Sequence, residues 1–106
     1  MTVSANPTRD EIIASLLQLK PSLQQQGVVQ LAMFGSRARG DHNRDSDVDL
    51  LVDVKNNRKF SLLDLVDVSQ IITDKLGIPA NMFMRRSLEP EMAESIRPDI
   101  IEIFHE

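Results

Sequence analysis

Apolar residues recur along this chain at two spacings, and each spacing predicts a different element. Ile12, Ile13, Leu16, Leu17 and Leu19 repeat at helical intervals, with Leu23 beyond them. The run is preceded by "TRDE" (Thr8–Glu11), a capping box in which Thr8 closes the helix start and Glu11 reaches back to it. Pro21 bends this element or opens a second short one, and Gly27 ends it. "VVQLAMF" (Val28–Phe34) is short, apolar and β-compatible, which predicts a buried strand. A polar stretch over 35–46 follows, with room for one helical turn at Arg37 and Ala38. "DVDLLVDV" (Asp47–Val54) predicts a second strand, and "KNNRK" turns the chain after it.

Ser61–Gly77 predicts a helix whose core stripe is Leu62, Leu65, Val66, Ile72 and Leu76, with Gly77 as its stop. "ANMFM" (Ala80–Met84) predicts a third strand after Pro79. The tail from Glu91 to Phe104 reads as helical, interrupted by Pro98. The expected order is therefore α-β-β-α-β-α: an α/β (α+β) fold with a small mixed β-sheet and helices mostly on one face.

Composition narrows this picture. A length of 106 residues suits one domain, 1–106, with one modest core. With no Trp or Tyr and four Phe, aliphatic side chains must supply most of the packing. The absence of cysteine excludes disulfides, thiol catalysis and Cys-based zinc sites. No apolar run approaches membrane-spanning length, and "MTVSANPTRDE" lacks a signal-peptide core, so a cytoplasmic protein is expected. A net charge of −4 argues against broad adhesion to nucleic acid. Three arginines, Arg37, Arg39 and Arg44, nevertheless crowd into the polar stretch.

That stretch carries the candidate chemistry. Gly35-Ser36 stands where the first strand ends, and a glycine there lets backbone approach a ligand closely. A helical turn opening at Ser36 would offer free N–H groups to phosphate oxygens, with Arg37 and Arg39 in reach from the same loop. Taken alone, a Gly-Ser after a strand is mostly a turn signal, and no Walker-type loop is present. Asp47 and Asp49 lie two apart in a strand, so their carboxylates project together. Such a pair needs a positive partner, and Mg²⁺ with substrate phosphates is one. A solvated strand start is the plainer reading of an isolated D-x-D. Together the two features answer the needs of phosphoryl or nucleotidyl transfer: cations to neutralise a triphosphate and donors to hold the departing pyrophosphate.

"GSRARGDHNRDSDVDLLV" resembles the signature of the polymerase-β-like nucleotidyltransferases, Gly-Ser followed after ten residues by Asp-x-Asp. The compact chain looks like the minimal nucleotidyltransferase group, antitoxins paired with HEPN-domain toxins. The resemblance implies the fold of that superfamily, with Asp47 and Asp49 catalytic and holding two Mg²⁺ ions. It implies ATP as donor, with Gly35 and Ser36 on the β- and γ-phosphates; Arg37, Arg39 and Ser46 of the same stretch are candidate nucleotide contacts by residue type, a turn-forming role explaining Ser46 equally well. The acceptor would be a hydroxyl on the HEPN partner, typically a tyrosine, and AMP transfer would silence that partner's ribonuclease activity. An assembly is implied, with the partner or between copies, without membrane or direct nucleic-acid binding. Antibiotic nucleotidyltransferases share the motif but need additional chain to enclose a drug.

The chain departs from the pattern at one position. The family's third carboxylate falls on Asn81, which cannot accept a proton and brings no charge. Three readings follow. Asp53 or another carboxylate serves instead; two aspartates suffice, with a base on the partner; or catalysis is lost and the protein neutralises its partner by binding alone. Elsewhere, His42 and His105 have no companion ligands for zinc. Arg85 and Arg86 read as solvent-facing, with a nucleotide or partner contact as the sharper alternative. Met92, Ile96, Ile100, Ile101, Ile103 and Phe104 read as sheet cover or partner surface.

Overall fold

A computed structural model describes residues 6–55 and 59–106. The turn expected at "KNNRK" includes Asn56, Asn57 and Arg58, outside the described residues.

Thr8 caps α1 (Arg9–Gln18), accepting from the Glu11 N–H at 3.1 Å while Glu11 accepts from the Thr8 N–H at 2.9 Å. The chain breaks at Leu19 and restarts as α2 (Lys20–Gln25), with Pro21 in the first turn, where its missing N–H costs nothing. Then come β1 (Val28–Phe34), the single turn α3 (Ser36–Arg39) and β2 (Val48–Val54). A second capping box, Ser61 with Asp64, opens α4 (Leu62–Leu76), and Gly77 closes it at φ +75°. β3 (Ala80–Met84) follows. After a 3₁₀ turn at Arg85–Ser87 come α5 (Pro90–Ile96), a second 3₁₀ turn at Arg97–Asp99 and β4 (Ile101–His105). Among the described residues, no helix is long and apolar enough to cross a membrane.

The four strands form one mixed sheet in the order β3-β2-β1-β4. β1 runs antiparallel to both β2 and β4, while β2 and β3 are parallel and joined through α4. Alternation along the strands divides the core. Leu31, Met33, Val48, Leu50 and Val52 meet Ile12, Leu16, Leu23, Val68, Ile72 and Leu76 from α1, α2 and α4. On the opposite face Ala32, Phe34 and Leu51 meet Ile96, with Phe83, Leu88, Met92 and Ile100 packed around them.

Two expectations are corrected. The tail is not a helix throughout, because the chain straightens after Pro98 and adds a fourth strand beside β1, so the order ends in β rather than α. Its apolar residues do cover the sheet: Ile103 and Phe104 are consecutive yet both buried, since the register with β1 slips between Leu31↔Phe104 and Ala32↔Glu102. On α4 the core stripe is Val68, Ile72 and Leu76, with Leu65 and Ile71 half-buried. Leu62 and Val66 are instead 76% and 55% exposed. Periodicity marks this side of the helix as apolar, but at its first turns these two side chains stay at the surface, beside recesses that α4 forms with β3.

Candidate active site

Asp47 directly precedes β2, and Asp49 is its second residue. Alternation puts Asp49 on the sheet face of Leu51, toward α5, while Val48 and Leu50 face α1 and α4. Two neighbours bracket the pair. On one side Phe34, the last residue of β1, is the register partner of Asp49, so Gly35 comes next to that carboxylate. A Cβ built on Gly35 would land on Asp49 Oδ2, and the backbone there has φ +80°. This position therefore excludes a side chain twice over, by space and by backbone conformation. The two halves of the motif, remote in sequence, are in contact.

On the other side Asn81 is the register partner of Asp49 across the parallel β2–β3 pair. Asn81 Nδ2 donates to Asp47 Oδ2 at 3.2 Å and to Asp49 Oδ1 at 3.1 Å. The two carboxylates thus converge on one point, where the amide relieves their repulsion. Rotated about its last bond, the same side chain offers a carbonyl oxygen instead. This is the donor geometry a hard divalent cation fits: one or two carboxylates, an amide oxygen, and remaining positions left for substrate phosphates and water. Among the described residues no three of His, Cys, Asp and Glu gather into a ligand set.

Asp53 cannot take the third position. It lies four residues along β2 from Asp49, roughly 13 Å away at strand rise. Its carboxylate is already bound by Arg86 at 2.6 and 3.0 Å, which also ties Arg86 to the Val54 carbonyl at 2.7 Å. Arg85 pairs with Glu102 at 3.0 Å. Both arginines after β3 fasten the sheet.

Arg37 is corrected outright. Its side chain is fully buried, and all five N–H donors are engaged inside the protein. Nε and Nη2 donate to the Ser46 carbonyl at 3.0 and 2.8 Å, and Nη2 also to the Arg44 carbonyl at 3.4 Å. Nη1 donates to the Pro7 carbonyl and Asn6 Oδ1, both at 3.2 Å. Burial pulls its pKa below the ordinary guanidinium value, with nearby Asp47 opposing. Nothing is left to reach a phosphate. The residue instead fastens the peptide just before Asp47 to the turn after Gly35. Buried arginine at a turn position gives no hydrophobic signal, so this role was invisible in the sequence.

Ser46 is likewise occupied as a turn former: its hydroxyl accepts from the Asn43 N–H at 3.1 Å and contacts Asn43 Oδ1 at 3.4 Å. Arg39 is held on the surface by Asp41 and Asp99, each at 3.0 Å, and these bonds raise its pKa. It borders a recess of about 400 Å³ with Arg9, Asp10 and His42, beside the end of α3 rather than its start. The structure therefore gathers Gly35, Asp47, Asp49 and Asn81 into one site, with Ser36 following Gly35 as the first residue of α3.

The sequence of this chain matches the nucleotidyltransferase domain over residues 13–104. It is 32% identical to the protein adenylyltransferase MntA of Thermococcus cleftensis over 95 residues, 89% of this chain and 94% of that protein. A candidate protein adenylyltransferase of Methanocaldococcus jannaschii is 33% identical over 98 residues, 91% of this chain and 98% of its own. In structure, a candidate minimal nucleotidyltransferase superposes with a TM-score of 0.77 at 28% identity, covering 92% of this chain and 98% of that one. A chain from the complex of tri-AMPylated Shewanella oneidensis HEPN toxin with MNT antitoxin superposes with a TM-score of 0.65 at 12% identity, covering 93% and 74%. That last likeness is one of fold.

Proposed function

This chain belongs to the nucleotidyltransferase domain family, and we propose that it is a protein adenylyltransferase that moves AMP from ATP onto a hydroxyl of a HEPN-domain ribonuclease, silencing it as an antitoxin. The observation that carries the reading is the convergence of Asp47 and Asp49 on one point, with Gly35 pressed against Asp49 and Asn81 bridging both carboxylates. The relatives named as protein adenylyltransferases support the chemistry, and the fold shared with a HEPN–MNT complex supports the partner.

In the reaction, the acceptor oxygen bonds to the α-phosphorus, and the bond from that phosphorus to the β-phosphate's bridging oxygen breaks. Pyrophosphate leaves, and the hydroxyl proton passes to a base. Magnesium held by Asp47 and Asp49 would supply charge neutralisation for the triphosphate. Gly35 lets the Asp49 carboxylate sit against the turn that opens α3, and the leading N–H groups of α3 with the Ser36 hydroxyl would supply neutral donors to phosphate oxygens. Asn81 orients both carboxylates but cannot take the proton, so the reading assigns that step to a group on the partner. Arg37 holds the Asp47 approach in place from behind.

The test is transfer of label from [α-³²P]ATP to a purified HEPN-domain protein. Label should appear with Mg²⁺ and vanish with EDTA. Absence of label with tight binding of the two proteins would instead favour the second reading, neutralisation by contact, which the amide at position 81 makes specific.

A further inference from the structure

The site is not symmetric about β2. Gly35 and α3 lie on the β1 side of Asp49, and Asn81 lies on the β3 side. On the proposed reading, the departing pyrophosphate is held on the β1 side. In-line displacement puts the attacking oxygen opposite the leaving one, so the acceptor must arrive from the β3 side.

A groove is waiting there. β3 is the edge of the sheet. Leu65, Val66, Ser69 and Gln70 of α4 face residues 80–83 across a recess of about 370 Å³, with Asn81 among its walls. A second recess, about 310 Å³, shares Leu65 and continues past Phe60, Leu62 and Met84. Beside them Leu62, Leu63 and Val66 are 76%, 76% and 55% exposed. Among the described residues no charged side chain lines either recess. That selects the occupant. A polynucleotide acceptor would need Lys or Arg on its phosphates, and among the described residues none lines these recesses, whereas an extended neutral polypeptide finds a strand edge and apolar walls.

We propose that the groove between α4 and β3 is the docking track for the acceptor-bearing segment of the partner polypeptide, which lies along the edge of β3 and delivers its hydroxyl beside Asn81. This rests on the reading of the chain as a protein adenylyltransferase.

The experiment uses the intact chain, the double variant Leu62→Asp with Val66→Glu, and a purified HEPN-domain protein that the native chain binds. Both substituted positions are exposed, so the fold should be retained, and thermal melting checks this. Affinity for Mg·ATP is measured by calorimetry, affinity for the HEPN protein separately without nucleotide, and AMP transfer by intact mass. The expected result is an affinity for the HEPN protein at least tenfold weaker, with Mg·ATP affinity within about twofold of native. Undiminished affinity for the HEPN protein would overturn the docking track. So would a native dimer that the double variant splits without changing HEPN binding, since a second copy would then be the occupant. Failure of the native chain to transfer AMP would sink the enzymatic reading by itself. The binding comparison would still decide where the partner sits.

Discussion

Gly35 touches the Asp49 carboxylate with backbone alone, at a φ that L side chains avoid. Gly35→Ala should therefore cost roughly 1–2 kcal/mol of stability through the backbone and displace Asp49 as well. Transfer should be lost while the protein still melts cooperatively; retained transfer would mean that the close approach is incidental. Asn81 holds two carboxylates together with one amide. Asn81→Asp removes that donor and adds a third negative charge. Melting should fall in EDTA and recover with Mg²⁺, so the Mg²⁺-induced rise in Tm should exceed that of the native chain. An identical Mg²⁺ response in both proteins would argue against a cation at this point. Arg37 satisfies carbonyls of Pro7, Arg44 and Ser46 from a fully buried position. Arg37→Met strands buried acceptors and should cost about 3 kcal/mol, a fall in Tm upward of roughly 10 °C for a domain of this size. At this scale the sequence spoke clearly where chemistry and spacing coincide, as at Gly35, Asp47 and Asp49. It misassigned Arg37, because an arginine in a polar loop reads as a phosphate ligand until burial is known.

At the level of elements, the capping box read at Thr8 with Glu11 is present, and α4 opens with a second, Ser61 with Asp64, that the apolar pattern did not single out. β1 and β3 begin and end at the residues their apolar runs define. The errors share a cause. Periodicity shows that one side of a helix is apolar, but not whether the neighbouring element extends far enough to cover it. On α4 the stripe was extended to Leu62 and Val66, which lie at the surface. Leu62→Gln should accordingly change stability by less than about 0.5 kcal/mol, whereas Ile72→Ala should cost about 2–5 kcal/mol. Urea denaturation of the two variants separates them. In the tail, "IIEIFH" alternates too briefly to reveal a strand. Its place was decided by β1, whose free edge it pairs with through a bulge.

The whole molecule divides its labour by layer. Packing of α1, α2 and α4 on one face of the sheet leaves the other face, at the start of β2, for chemistry. The mixed topology then sets three strand-borne groups abreast: Gly35 after β1, Asp49 on β2 and Asn81 on β3. The motif pairs the first two, the third position was expected at Asn81, and the parallel register sets Asn81 beside Asp49. An amide in place of a carboxylate is what makes catalysis the question to settle. The most direct test is the intact mass of a HEPN-domain protein co-expressed with the native chain or with Asp49→Asn. AMP-sized increments only with the native chain are the predicted result. An unmodified HEPN protein, bound and silenced equally by both forms, would contradict the enzymatic account.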